Sequence, residues 1–415
     1  MKTLREFLDR RLGYLLITPA IIFILLFSIL PIFESTKYAF FDFQLNDQQK
    51  SGLYFNERYN LDLVNETYDY LDYYLETELD VVQKEMTKSQ IGEMRTVLSN
   101  QLGEVNDIFG TNTGIGELSE ESLKRLNAMD EVTFSMLDSL YSTEDAFILE
   151  EDIYAVASEL NTAYISPNFS GGDNFKNIMS DERVHSALIV TIIFTVASVT
   201  LELILGLVLA LIMNKSMAGR GMIRTMSLIP WAIPTSVAAL IWAYLYNGSN
   251  GIVAMLLAKM GILESSADLL LSGSSALGAV IMADVWKTTP YMALLLLAGL
   301  QTIPGSLYEA ASIDGATKWQ QFVNITLPLL KPSIMVALLF RTLDAFRVFD
   351  LIYVLTGGGP GGKTESISIY AYKAMFAQTR FGYGSAVVLI MAVIVGIISY
   401  AYIKLLDVKL VSGER

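Results

Sequence analysis

The chain of 415 residues is 53% hydrophobic with a mean hydropathy of +0.44, and its apolar runs exceed what a soluble core helix needs, so it reads as a polytopic membrane protein. It contains no cysteine, which excludes a disulfide framework and a cysteine-based metal site. The formal net charge of −14 is unevenly spread: residues 42–182 hold 29 acidic and 8 basic residues, so one acidic segment interrupts a mildly basic remainder.

The first apolar run, residues 12–33, follows a basic start and contains no charged residue or histidine. It is too long for the apolar region of a signal peptide and no small-x-small cleavage site follows, so it is expected to be retained as a span. Residues 225–258 and 381–403 are likewise free of charge, and the segments near 184–213, 276–302 and 332–356 carry only a few charges. At about 20 apolar residues per crossing, six transmembrane helices are expected.

The acidic insert falls between spans 1 and 2. Apolar residues recur at three- and four-residue steps through 65–102 and 119–140, which predicts helices, with Gly110 to Gly116 as the loop between two helical halves. Its acid reads as a solvated surface in preference to a metal or catalytic site. No strand-rich pattern and no solenoid repeat competes. The fold class expected is all-α: six spans with a largely helical extracytoplasmic insert.

Six spans place the N-terminal tail, 214–225, 303–331 and the C-terminal tail on one side with 12 Lys and Arg, against 4 in 247–275 and 357–382. By the positive-inside rule the first group is cytoplasmic. The expected organisation is residues 1–41 as tail and first span, 42–182 as extracytoplasmic insert, and 183–415 as a five-span core with cytoplasmic loop 303–331.

Within the spans, Asp284 and Lys287 lie three apart, as do Arg341, Asp344 and Arg347, so each set shares a helical face with opposite signs adjacent. Charges at the bilayer centre are expensive, and these should face the bundle interior to pair or to line a wet cavity. Structural pairing accounts for the charges alone. A sugar pathway also accounts for Trp286, Tyr291 and Phe346, whose rings suit a sugar's apolar faces while carboxylates and arginine suit its hydroxyls. An ion-coupled transporter would use Glu202, Asp284 and Asp344 as a proton relay. A membrane sensor would use the insert as a receptor and would need a catalytic output domain, which is not expected from residues 404–415. His185, the single histidine, sits at a span edge and reads as structural or interfacial.

The polar stretch EAASIDGATKWQQFVNITLP, Glu309 to Pro328, separates the fourth and fifth spans. Ser306 with Glu309 and Thr317 with Gln320 have capping-box spacing, Gly315 stops the first short helix, and Pro328 and Pro332 end the second before the chain enters the fifth span. A helix-turn-helix DNA reader would need phosphate-neutralising charge, and the stretch contains only Lys318.

Glu309-Ala310-Ala311, then Gly315 after three residues, then Ile325, Leu327 and Pro328 match without a gap the signature loop of permease subunits in binding-protein-dependent ABC importers, which the chain resembles across all its spans. ALLFRTLDAFRVFDLIYVLTGGGPGGKT, residues 337–364, is similar to the carbohydrate branch, especially maltose and maltodextrin permeases. The resemblance implies that the loop is a coupling helix docking into a cytoplasmic ATPase through Glu309, Ala310, Ala311, Asp314 and Gly315. It implies one half of a heterodimeric pore, completed by a second permease subunit and two ATPase subunits, with an extracytoplasmic binding protein delivering an oligosaccharide. The chain would be non-catalytic and bind no cofactor, metal or nucleic acid, while its partners use ATP and magnesium. Its place would be a bacterial cytoplasmic membrane, with both termini cytoplasmic. Matched to the sugar-contacting helices of the family are Asp284, Lys287, Thr288, Tyr291, Arg341, Asp344 and Ala345. Lys287, Arg341 and Asp344 differ in type from the enterobacterial maltose permease, which has eight spans and a non-helical insert.

GGGPGGKT, Gly357 to Thr364, satisfies the phosphate-loop pattern G-x-x-x-x-G-K-[ST]. A phosphate loop needs a buried strand before it, whereas here an apolar span precedes it and Pro360 removes a backbone donor. Nucleotide binding by this chain is not expected.

Overall fold

The computed structural model describes residues 14, 16–143, 145–216 and 219–406. Of the charged residues in the two tails that enter the positive-inside count, only Lys404 falls within the described residues. The chain divides into two compact units: one is Phe40–Gly171 with Thr379–Gly382, and the other is the remainder.

The first helix, α1 (Leu16–Tyr38), belongs to the larger unit and has no buried residue. In the smaller unit follow β1 (Arg58–Asn60), α2 (Leu61–Leu79), α3 (Glu85–Phe109), β2 (Ile115–Glu117), α4 (Glu120–Tyr141), α5 (Glu150–Thr162) and β3 (Tyr164–Ile165). The helical pattern read over 65–102 is two helices, broken between Leu79 and Glu85. The buried positions of α2, Leu61, Val64, Tyr68, Leu71 and Leu75, recur at three and four and meet Ile91, Met94 and Leu98 of α3 in one core. Gly110, at φ +65, ends α3 in the left-handed conformation.

The sheet, ordered β2-β1-β3 and antiparallel throughout, was not anticipated. Its strands are two or three residues long, too short to show a two-residue period. Tertiary packing creates it: buried Tyr59 stacks on Phe109 at 5.7 Å and meets Tyr164 edge-on at 4.9 Å. Long-range contact also caps α5, where the buried Glu78 carboxylate accepts from the Ile148 and Leu149 amides at 3.0 and 2.6 Å.

The larger unit continues with α6 (Asp173–Ser180), α7 (Glu182–Asn214), α8 (Arg220–Ala232), α9 (Thr235–Leu245), α10 (Ile252–Lys259), α11 (Asp268–Leu271), α12 (Gly273–Leu300), α13 (Gly305–Ile313), α14 (Lys318–Phe346), α15 (Asp350–Leu355), α16 (Ile367–Tyr372) and α17 (Phe381–Leu406). Among the described residues five helices, α1, α7, α12, α14 and α17, are long and apolar enough to cross a membrane, and the bent pair α8 and α9 makes a sixth if it counts as one span and not as a re-entrant loop. The third span is therefore not the straight helix expected over 225–258. Ile233, held extended ahead of Pro234, turns the chain by 89°.

The prolines of the fifth span also act otherwise than expected. A π-turn at Phe322–Thr326 lies just ahead of Pro328, and α14 runs unbroken through Pro328 and Pro332. It stops at Phe346, short of the expected residue 356, and α15 is a separate helix.

α7, α12 and α14 pack together as the centre of this unit. Gly206 of α7 permits the approach, since a Cβ there would fall 2.7 Å from Met292 Cγ of α12.

Candidate functional site

The three central helices each bring a charged side chain to one point. Arg341 of α14, 1% exposed, donates through Nε and Nη2 to the two carboxylate oxygens of Glu202 of α7, at 2.5 and 2.7 Å. Its Nη2 also lies 3.1 Å from Asp284 Oδ2 of α12, and its Nη1 2.5 Å from Asp344 Oδ2. The Thr288 hydroxyl sits 2.6 Å from both Glu202 Oε1 and the Asp284 carbonyl oxygen. One guanidinium thus holds three carboxylates, and Glu202 is sealed from solvent. The second buried cation, Lys287, donates to the Trp231 carbonyl at 3.4 Å.

A cavity of about 340 Å³ opens beside this cluster, lined by Asp284, Lys287, Thr288, Arg341, Asp344 and Ala345 of the sequence reading. Trp231, Thr235, Arg347, Phe349 and Asp350 complete its polar and aromatic lining. Tyr291 does not line it, but stacks on Trp231 with centroids 5.5 Å apart and planes 14° apart. The aromatics singled out from the sequence are replaced: Trp286 meets Trp242 edge-on, and Phe346 is buried in a separate apolar cluster. The spacings of the charged residues hold on their helices, but the accompanying rings point elsewhere, because side-chain direction depends on which neighbour each helix meets. Arg341 is also less available to a solute than expected, because most of its donors are already engaged.

Glu202 was legible only as an acid inside a span. Its partner lies 139 residues away, a pairing no local pattern encodes. Trp231 and Thr235 were likewise hidden, since they face the cavity only because the chain bends at Pro234.

The polar loop forms a hairpin of α13 and the start of α14. Gly315, at φ +77, closes α13 in a Schellman arrangement: the Ala316 amide donates to the Ala311 carbonyl at 2.9 Å and the Gly315 amide to Ser312 at 3.2 Å. Thr317 and Gln320 form the expected capping box. The Ser306–Glu309 box does not form, because α13 begins at Gly305 and Ser306 is already inside the helix. Buried Gln321 ties the two arms, donating to Ser312 Oγ at 2.8 Å, and the Tyr308 and Thr326 hydroxyls meet at 3.0 Å. Glu309, Ala310, Asp314 and Gly315 are exposed and Ala311 is half-buried. Among the described residues the Glu309 carboxylate has no hydrogen-bond or ion-pair partner. Ile313 and Trp319, 86% and 71% exposed, flank it with apolar surface.

The glycine-rich loop at Gly357 to Thr364 follows helix α15 and not a strand. Its Thr364 is fully buried, with Oγ1 donating to the Gly359 carbonyl at 2.7 Å, and the neighbouring Glu365 is held by Arg183 at 2.8 and 2.9 Å and by Lys373 at 2.8 Å. These bonds build a turn.

Comparison with known proteins matches residues 202–411 to the family described as binding-protein-dependent transport system inner membrane component. The chain is 49% identical over 236 residues to a trehalose/maltose transport system permease protein, MalF, of Thermococcus litoralis, covering 57% of this chain and 79% of that one. It is 45% identical over 246 residues to the trehalose transport system permease protein SugA of Mycobacterium tuberculosis, covering 59% and 78%. It is 37% identical over 265 residues to the sulfoquinovosyl glycerol permease SmoG of Agrobacterium fabrum, covering 62% and 85%. A solved bacterial alginate ABC transporter, crystallised with its pentasaccharide-bound periplasmic protein, shares the fold at a TM-score of 0.52 and 23% identity, over 69% of this chain and 96% of that one. The matched family region contains Glu202, the Arg341 cluster, the Glu309 hairpin and every span after the second, and the chain belongs to the binding-protein-dependent transport system inner membrane components, the multi-pass permease subunits of ABC importers.

Proposed function

We propose that the chain forms half of the translocation pathway of an ATP-driven importer for a neutral oligosaccharide of the maltose or trehalose type, maltodextrin-like in its linkage of glucose units. The observation that carries this reading is the cavity beside Arg341, where polar donors and acceptors converge on a stacked aromatic pair. The names of the relatives support a disaccharide or longer sugar.

In this reading Arg341 is the keystone that orients Asp284 and Asp344. Sugar hydroxyls meet Asp344, Lys287 and Thr288 directly, and Trp231, steadied by Tyr291, offers an apolar face. The exposed hairpin from Glu309 to Gly315 fits the groove of a cytoplasmic ATPase, so that closure of two ATPase subunits on ATP and magnesium moves the central helices. This chain itself is non-catalytic and holds no cofactor. A second permease subunit completes the pore, a binding protein delivers the sugar, and the insert, residues 42–182, stands outside the cytoplasmic membrane to receive it. Both termini then face the cytoplasm.

The test is uptake of a sugar panel by the reconstituted importer, with and without ATP. Asp344→Asn should change which sugars are carried, because a carboxylate accepts from two hydroxyls where an amide accepts with one oxygen and donates with the other. An unchanged profile under ATP drive overturns the assignment of Asp344. Uptake that needs a proton gradient and no ATP would instead favour the ion-coupled reading of Glu202, Asp284 and Asp344.

A further inference from the structure

A second cavity, of about 1030 Å³, lies where the C-terminal ends of α7 and α12 meet the start of α14. Lys215, the residue that follows α7, and Lys318 of α14 both line it, and no carboxylate does. Among the described residues Lys215 has no hydrogen-bond or ion-pair partner, and Lys318 reaches only the neutral Gln321 Oε1 at 3.2 Å. The remaining wall is mixed: Leu211, Leu300, Phe322 and the largely exposed Trp319 supply an apolar strip, and Asn214, Ser216, Tyr308, Gln321 and Thr326 supply neutral polar groups.

Two uncompensated cations call for an anion. The apolar strip, at the ends of membrane-crossing helices, suits an acyl chain attached to it, and the neutral polar groups suit the ester and glycerol oxygens between chain and headgroup. Tryptophan at such a level is the residue type that partitions to the headgroup region, and basic pockets between spans on the positive side hold anionic headgroups. We propose that this cavity binds the headgroup of an anionic phospholipid of the adjoining leaflet, between Lys215 and Lys318, with one acyl chain laid along Leu211, Leu300 and Phe322. The lipid would brace the back of the Glu309 hairpin, since Lys318 begins the arm that Gln321 ties to α13. The inference stands apart from the sugar reading, because none of these residues lines the cavity beside Arg341.

The test uses the full chain, purified in detergent after reconstitution into phosphatidylcholine vesicles containing phosphatidylglycerol, with the retained lipid measured by native mass spectrometry. Phosphatidylglycerol should be retained in preference to phosphatidylcholine. The Lys215→Gln/Lys318→Gln double variant should lower that preference by about 30-fold, the effect of removing two interfacial cations. The Lys215→Arg/Lys318→Arg variant should keep it, as should Arg220→Gln, which removes a cation outside the cavity. Equal retention by the double glutamine variant overturns the proposal. So does an equal loss in Arg220→Gln, which would mean general surface attraction, or loss in the arginine variant as well. Displacement of the lipid by millimolar inorganic phosphate would assign the pocket to a free anion. A double variant that keeps its phosphatidylglycerol but no longer co-purifies with the ATPase would assign the lysines to that subunit.

Discussion

Glu202 and Arg341 join α7 to α14 through two hydrogen bonds of 2.5 and 2.7 Å, with both side chains buried. Desolvation makes such a pair a weak source of net stability, but removing one partner strands the other's charge. Arg341→Met would leave Glu202, Asp284 and Asp344 facing one another. We expect a loss of about 3–5 kcal/mol, read as a lower midpoint in a denaturant melt of the detergent-solubilised chain. Part should return in the Glu202→Gln/Arg341→Met double variant. A single variant as stable as the parent would show that the three acids are not held by this arginine.

Glu309 has an exposed carboxylate and no capping role, since the Ser306 box is absent. Glu309→Lys should therefore change the stability of the chain by no more than about 0.5 kcal/mol, while abolishing binding-protein-stimulated ATP hydrolysis in the assembled importer. Stimulated hydrolysis at the parental rate would remove Glu309 from the coupling contact.

Gly315 separates conformation from contact. An added Cβ would meet nothing within 4 Å, so Gly315→Ala suffers only the left-handed backbone penalty of about 1–2 kcal/mol. Hydrogen exchange at the Ala316 amide, which donates to Ala311, should quicken accordingly, and less so in Gly315→Asn. Equal protection in all three would mean that the turn is held from elsewhere.

Asp130 in the smaller unit is buried and accepts from the Tyr164 hydroxyl at 2.6 Å. Burial pushes its carboxyl above the usual carboxylate range, and the Tyr164 bond draws only part of that shift back. The folded chain then binds this proton more readily than the unfolded chain, so stability is lost as pH rises from the ordinary value through the raised one. Asp130→Asn, whose amide oxygen still accepts from Tyr164, should slow hydrogen exchange in α4 at neutral pH. After correction for intrinsic rates, the gain should vanish near the ordinary carboxylate value of about 4. A gain of the same size at both pH values would rule out titration of Asp130 as its cause.

Local pattern was sufficient wherever the physics is local. A run of some 20 apolar residues satisfies its own backbone only as a helix, so five of the spans could be located from the chain, while the segment 225–258 folds as a bent pair. The three- and four-residue recurrence in α2, α3 and α4 marked which faces would be buried. Gly315 and the Thr317–Gln320 box act over one turn, and both appear where the spacing put them. The three-residue spacings of Asp284 with Lys287 and of Arg341 with Asp344 marked faces that the fold turns toward a cavity.

Tertiary structure alone decided the rest, because each remaining feature joins residues whose separation in the chain carries no signal. Glu202 reads only as an acid within a span, open to a proton relay, until α7 is laid against α14 and Arg341 pairs with it. Trp231 becomes a cavity wall only after the chain turns by 89° at Pro234, and Phe346 leaves it because its side of α14 meets a different apolar cluster. The three short strands exist because Tyr59 has Phe109 and Tyr164 to pack against. Sequence period specifies the face of a helix. Which partner covers that face is set by close packing among helices that meet only once the chain has folded.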